Sequence, residues 1–507
     1  MWGQPTYTPG ENGSTIRSSP IFPLIRHCPI AVADAFDLYD RLTGCSPHSF
    51  FLEHDDVHAG VSRRYAYIGN APSVVITGKG GLTTVWSPGA ESQELRPPLH
   101  YLSELFSAKP FQGTQKILPF QGGMVGCLSY DLARSLESLP EIARDDLNFP
   151  DVYALLVETF VVVDQASPGV WLVFSPSPQR VAGEHWDRLY REGRAKLAEL
   201  EARLTDPGLT TTERTPHAFS PRIVGEQSAG EYQDRVRACQ ELIAAGDIYQ
   251  ANISHRFRIE GLTSCFPSAA QAGAALFRDI RRNNPSPHST FLVLGSDVVV
   301  CNSPERLVRL TDGLVDMRPI AGTRPRGESV IHDRQFAEEL VSNPKERAEH
   351  LMLVDLARND LGRVCGYGTV RVDEFMTVER YSHVMHLVSN VSGQIKEDVS
   401  SWDVIRAVFP GGTISGVPKV HCMELIERLE PVRRGLYTGS IGYIGWNGNM
   451  DWNIVIRSLL LREDIGYLQV GAGIVADSVP EREYEETIHK AQAFFRVLGS
   501  GSSGKGC

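Results

Sequence analysis

The sequence predicts an α+β fold, in which antiparallel strands are interleaved with helices. Three observations carry that expectation. Strand and helix signals alternate irregularly along the 507 residues, unlike the strict repeat of a doubly wound parallel sheet. The apolar runs 152–165 and 169–176 stand close enough together to form a hairpin. An Asn447-Gly448-Asn449 turn joins two further apolar runs directly. No internal repeat is present.

Residues 1–20 are rich in Gly, Pro, Ser and Thr and read as loose. Residues 48–56, 63–72 and 73–81 read as strands with turns between them. The stretch 122–137 reads as a glycine-rich strand running into a helix, and 185–204 as a charged amphipathic helix. Residues 205–225 are polar, hold three prolines and lack periodicity, which marks a linker between an N-terminal region (20–204) and a second region (226–498). In the second region, 231–246 is a helix stopped by Gly246, 248–259 a strand and 269–283 a helix. Strands follow at 289–295, 297–303 and 306–313. The tail 499–507 contains G-x-x-x-x-G-K, but no strand precedes it and Gly506 stands where a phosphate loop needs Ser or Thr, so it reads as a flexible tail.

The stretch 343–362 should form one helix around which the chemistry is arranged. Asn343 is a good N-cap and Pro344 suits the first turn, while Leu351, Val354, Leu356 and Leu361 supply the apolar side and Gly362 a stop. Glu346 and Glu349, three apart, share a face. A second helix opening at Pro480 repeats the device with Glu483 and Glu486, and Lys490 lies one turn beyond. Two carboxylate pairs suit a hard divalent cation such as Mg²⁺. The competing reading is that acidic residues in first turns favour the helix dipole and face solvent.

Four further clusters offer anion-binding chemistry. Residues 318–327 bring Gly322 and Thr323 beside Arg324 and Arg326; 409–429 is a glycine-rich loop feeding a helix; 436–461 places Arg457 in an apolar strand; 470–478 is a strand with glycines that admit a ligand. His386 stands in an apolar run, where a histidine is more often packed in the core than catalytic. Together these would hold a small polyanion through a metal.

Composition narrows the class. A net charge of −11 argues against nucleic-acid binding, and no apolar run is long enough to span a bilayer. The N-terminus lacks a secretory pattern, and nine scattered cysteines without CxxC favour reduced thiols in a cytoplasmic protein.

The motifs PIAGTRPRG, KERAEHLMLVDLARNDLGRV, VERYSHVMHLVS, FPGGTISGVPK, GSIGYIGWNGNMDWNIVIR and GAGIVADSVPEREYEET resemble, in order, the signature of the chorismate-utilising enzymes, over about 225–498 with a weaker match over 20–175. The resemblance implies a two-layer antiparallel β-sandwich flanked by helices, with strands from both sequence halves. It implies Mg²⁺ on Glu349 and Glu486, with Glu346 and Glu483 beside them, directly or through water. It implies chorismate contacts from Gly322, Thr323, Thr413, Tyr437, Arg457, Gly471, Ala472, Gly473 and Lys490, with His386 near the leaving C4 hydroxyl.

Within the family, the water-using members resemble one another in carrying a lysine base where GDIYQ here has Gln250, so ammonia is the expected nucleophile. Ala321 matches the anthranilate-synthase state, where aminodeoxychorismate synthases of the best-known type have a nucleophilic lysine. YQANISHRF, SPERLVRL and FPGGTISG lean towards aminodeoxychorismate synthase component I. FLEH and NPSPHS, with His54, His288 and Ser289, depart from the pattern of tryptophan-inhibited anthranilate synthases. The expectation is therefore Mg²⁺-dependent amination of chorismate towards p-aminobenzoate and folate, with anthranilate formation as the alternative and a non-catalytic chorismate-binding paralogue as a third reading. No cysteine carries a glutaminase nucleophile motif, so a separate glutaminase subunit is expected to supply ammonia.

Overall fold

The computed structural model describes residues 7–9, 15–17, 22–58, 61–107, 117–206, 219–381 and 384–499. Its centre is a pair of 12-stranded antiparallel sheets. Each is woven from both halves of the chain. In one, Gly123–Leu128 pairs with Ser440–Gly445. In the other, Ser49–His58 pairs with His288–Leu294. The strand alternation decides which side chain goes where. Phe50 and Leu52 of one sheet meet Val125, Cys127 and Leu155 of the other in a core between the sheets. Phe51, pointing the other way, packs with Phe36 and Phe277 under the helices Ala35–Thr43 and Ala269–Asn283. Met124 likewise turns outward to Trp402 and Ile405 of the helix Ser401–Val408. Strands covered on both faces read as unbroken apolar runs, which the sequence shows. The sandwich and the mixing of halves match expectation.

Local signals placed most helices well. Ser228 and Glu231 form a capping box at the start of Ala229–Ala245, and Gly246 ends that helix in the left-handed region at φ 84°. Asn343 caps Pro344–Gly362 by accepting from the N–H groups of Lys345 and Glu346.

Some expectations fail. The apolar side of Pro344–Gly362 is made by Leu353, Val354, Ala357 and Leu361, whereas Leu351 is 54% exposed; the helix runs through Gly362 to an α-helical Arg363. Residues 152–165 are two strands, Val152–Val157 and Thr159–Asp164, which belong to different sheets. The chain crosses at buried Glu158, whose carboxylate pairs with Arg180 at 2.6 Å. Only Thr159–Asp164 forms the hairpin with Val170–Phe174. An apolar run buried on both faces carries no mark of such a crossing. The helix after Gly123–Leu128 is a 3₁₀ turn, Tyr130–Ser135.

Within 205–225, the helix Trp186–Thr205 ends and Arg222–Gly225 forms an edge strand on Gln250–Glu260; 207–218 lie outside the described residues. In the N-terminal stretch, Tyr7–Pro9 pairs with Thr15–Arg17. The tail beyond Gly499 lies outside the described residues.

Candidate active site

The strands Gln250–Glu260 and Ile465–Ile474 pair so that Asn252 faces Gly473, Ile253 faces Ala472 and Ser254 faces Gly471. The helices Pro344–Gly362 and Pro480–Val497 close over this pair. Gln250 Nε2 donates to Glu349 Oε1 at 3.1 Å, and Lys490 Nζ donates to the Gly471 carbonyl at 2.9 Å. A Cβ at position 473 would stand 2.6 Å from Gln250 Nε2, so only glycine lets that amide lie against the strand.

The four predicted glutamates lie near one another but hold different partners. Glu346 accepts from Arg324 Nη1 at 3.0 Å, and Glu486 pairs with Lys490 at 2.8 Å. Burial raises the Glu349 carboxyl above its usual range; the charges of Glu346 and Glu486 add to this, and the Gln250 hydrogen bond and Lys345 oppose it. Burial also raises Glu483, opposed by a Ser478 hydrogen bond. Among the described residues, only His54, His288 and Asp451 place three candidate ligand atoms within 4.8 Å of one another. The glutamates are more widely spread than that.

Arg324 and Arg326, read as anion binders, are already engaged: Arg324 with Glu339 and Glu346, Arg326 with Asp333. Gly322 sits at a bulge opposite the strand Val384–Gln394, with φ 65°, and a Cβ there would meet Glu346 Oε2 at 2.7 Å. Thr323 is directly opposite His386, and its hydroxyl lies 3.0 Å from His386 Nδ1. Burial, then the charge of Arg457, pushes the His386 imidazole down to about 4, so it is neutral at pH 7.

Arg457 precedes the strand Ser458–Arg462 and is not inside it. It takes the left-handed conformation at φ 50°, which costs a non-glycine residue about 1–3 kcal/mol. Its guanidinium makes no hydrogen bond or salt bridge to a described residue. It shares a cavity with His386, Tyr381, Pro304 and the 284–287 turn. A half-buried cation left open in this way is suited to an anionic ligand.

Sequence reasoning missed Glu305. It follows Ser303 in the SPERLVRL segment and is 8% exposed. Thr413 Oγ1 donates to its Oε1 at 2.7 Å. Burial pushes the carboxyl up to about 7, against the hydrogen bond and the charges of Lys490 and Arg457. A carboxylic acid that is half protonated at neutral pH is a competent proton donor. The only sequence signal was a carboxylate between Pro304 and the strand Arg306–Thr311.

Arg434 was also missed. Its guanidinium donates to the carbonyls of Ile414 at 2.8 Å and Asn252 at 2.7 Å, pairs with Glu430 at 2.7 Å and lies over the Tyr437 ring at 5.8 Å. It thereby ties the Thr413 loop, the Gln250 strand and Tyr437 together. Burial raises the Tyr437 phenol, so it stays protonated and can donate. Gln250 Oε1 and Asn252 Oδ1 are buried without partners, which leaves two acceptors for a ligand.

The structure thus brings Gln250, Glu349, Glu486, Lys490, Gly471, Gly473 and Tyr437 together. Electrostatics link this group through Lys490 and Arg457 to Glu305 and His386. A buried acid, unpaired buried acceptors and an arginine without a hydrogen-bond partner among the described residues suit a small anionic substrate.

The chain belongs to the chorismate binding enzyme family, whose model matches residues 59–496. It is 40% identical over 464 residues to aminodeoxychorismate synthase component 1 of Bacillus subtilis (strain 168), covering 91% of this chain and 93% of that protein. It is 41% identical over 466 residues to anthranilate synthase component 1 of Thermus thermophilus, covering 92% and 95%. Among solved structures, anthranilate synthase component I from Streptococcus pneumoniae matches with a TM-score of 0.74 at 31% identity, covering 87% of this chain and 94% of that one.

Proposed function

We propose that the chain is the chorismate-aminating component I of an aminodeoxychorismate synthase, dependent on Mg²⁺ and fed with ammonia by a separate glutaminase subunit. The observation that carries the amination is Gln250. An amide cannot deprotonate water, and its carbonyl oxygen is buried without a partner, an acceptor that an N–H of ammonia would satisfy.

The geometry supports a role for each residue. Arg457 and Lys490 would neutralise the substrate's carboxylates. Glu305 would give its proton to the C4 hydroxyl, which leaves as water when ammonia adds at C2. His386, a neutral imidazole fixed by Thr323, would orient that hydroxyl. Tyr437 and the backbone of Gly471, Ala472 and Gly473 would line the other side. The Glu349 and Glu486 carboxylates would hold Mg²⁺, with Glu346 and Glu483 next to them. Their crowding fits such an ion, since a cation offsets both the burial and the repulsion that raise Glu349. When bound, the metal supplies positive charge to a ring carboxylate.

The product depends on the second half of the reaction. Delivery of ammonia to C4 with departure of the C2 amine gives 4-amino-4-deoxychorismate, the precursor of p-aminobenzoate for folate. Loss of the enolpyruvyl group as pyruvate gives anthranilate. One observation favours the anthranilate reading: Ala321, 6% exposed on the Gly322 strand, offers no amine for a covalent adduct. Against it, buried His54 and His288 stand where tryptophan-inhibited members have a different pattern, as expected of an enzyme outside tryptophan control.

The test is product analysis. Purified chain, chorismate, Mg²⁺ and ammonium at alkaline pH are expected to yield aminodeoxychorismate, converted to p-aminobenzoate only when a lyase is added. Anthranilate with equimolar pyruvate would overturn the assignment. Arg457→Ala is expected to raise KM for chorismate by about 10–100-fold, the loss of one charge-assisted contact. An unchanged KM in steady-state kinetics would remove Arg457 from substrate binding.

A further inference from the structure

We propose that His54, His288 and Asp451 form a second metal site, for a divalent transition metal of the Zn²⁺ class, that ties the two sheets together. His54 and His288 are directly opposite each other on paired strands of one sheet, and Asp451 is on Met450–Asn453 of the other. The two imidazole rings lie 4.9 Å apart at 89°. One ligand atom from each of the three residues lies within 4.8 Å of the others. All three residues are buried, at 3%, 2% and 3% exposure.

What calls for an occupant is the unmet bonding capacity. Both nitrogens of His54 and Nδ1 of His288 have no hydrogen-bond partner. Such atoms are rare in protein interiors and costly to leave unpaired. His54 Nδ1 is 3.4 Å from Asp451 Oδ2, so a proton there would serve one of the three nitrogens. A metal at the centre takes a lone pair from each ring. His288 and Asp451 are in the form a metal needs. Burial, and then His54, holds the His288 imidazole well below its usual range. Asp451 is held well below the carboxylate range; burial opposes this, and Arg306 and His54 outweigh it.

Arg306 has two effects. Its Nε and Nη2 grip the Asp451 oxygens at 3.0 and 3.1 Å, fixing the carboxylate as supporting residues do at metal sites. Its charge also opposes a cation, and buried Asp316, 3.9 Å from Arg306 Nη1, offsets that. Two imidazoles and one carboxylate select a borderline metal such as Zn²⁺ over Mg²⁺ or Ca²⁺, with a water completing four-coordination. The site is separate from the carboxylate cluster proposed for Mg²⁺ and does not rest on that proposal.

The test uses the full chain, produced in zinc-supplemented cells and purified without chelator, beside His54→Phe and His288→Gln. Elemental analysis is expected to find about one zinc per chain retained through gel filtration, and none in either variant. Protein produced with cobalt is expected to show the intense visible absorption of a four-coordinate site, lost in H288Q. That spectrum on the unmodified chain decides the matter if the variants do not fold. Absence of zinc and of the cobalt spectrum from the unmodified chain overturns the site, as does equal retention by the folded variants.

Discussion

Glu305→Gln will lower kcat about 10²–10⁴-fold, the usual contribution of a positioned proton donor. The amide keeps the volume and can still accept from Thr413, so the loss isolates the proton. The pH profile sharpens the test. The Glu305 carboxyl is pushed up to about 7 by burial. Its acid form is complete well below that pH and disappears above it. The kcat/KM of the unmodified enzyme should therefore fall as pH rises through about 7, and the variant should lack that limb.

Stability should fall over the same rise in pH. A carboxyl raised in the folded state binds more protons folded than unfolded between the model value of 4.5 and about 7. Folding stability is lost as pH rises through that window. Glu305→Gln removes the loss, so above pH 7 the variant should be more stable by a few kcal/mol, read as a higher urea midpoint. An active variant with an unchanged pH profile would show that the proton comes from elsewhere.

The second large effect concerns the carboxylate cluster. Glu349→Gln or Glu486→Gln is expected to reduce Mg²⁺-dependent turnover about 10³-fold, several kcal/mol of charge stabilisation. Thermal unfolding should not suffer, because neither glutamate is in an ion pair that the fold needs. Glu349 meets the Gln250 amide, two repulsive carboxylates and the more distant charge of Lys345, and Glu486 is itself exposed in its pair with Lys490. A magnesium titration distinguishes weak metal binding from lost chemistry, since weak binding is rescued at high Mg²⁺. Turnover within a few-fold of the unmodified chain, with the same Mg²⁺ dependence, would sink the proposed ligand set.

Much of this was legible along the chain because it is local. Asn343 caps its helix because a side-chain oxygen reaches N–H groups two and three residues on. Glu346 and Glu349 share a face because the helix repeats every 3.6 residues. The glycines at 322 and 473 mark places where a carboxylate or an amide comes against the backbone. The motifs carrying these residues were also enough to place the chain in its family, which the comparisons bear out.

Other features depend on contacts between residues far apart in the chain. The Glu158 crossing cannot be read from an apolar run, because both of its flanking strands are buried in the same way. Leu351 faces outward although its neighbours at 353 and 354 are core, since what packs beneath the helix sets which stripe is covered.

Glu305 shows the division most plainly. Its residue type and its place after Pro304 are in the sequence, but its acidity comes from being enclosed and from Thr413, Arg457 and Lys490, all more than a hundred residues away. The pairing of His54 with His288 and Asp451 has the same origin. Periodicity, capping and turn chemistry act over a few residues and leave their mark in order along the chain. Desolvation and charge pairing act through space, so they arise only when both halves of the chain are laid into the same two sheets.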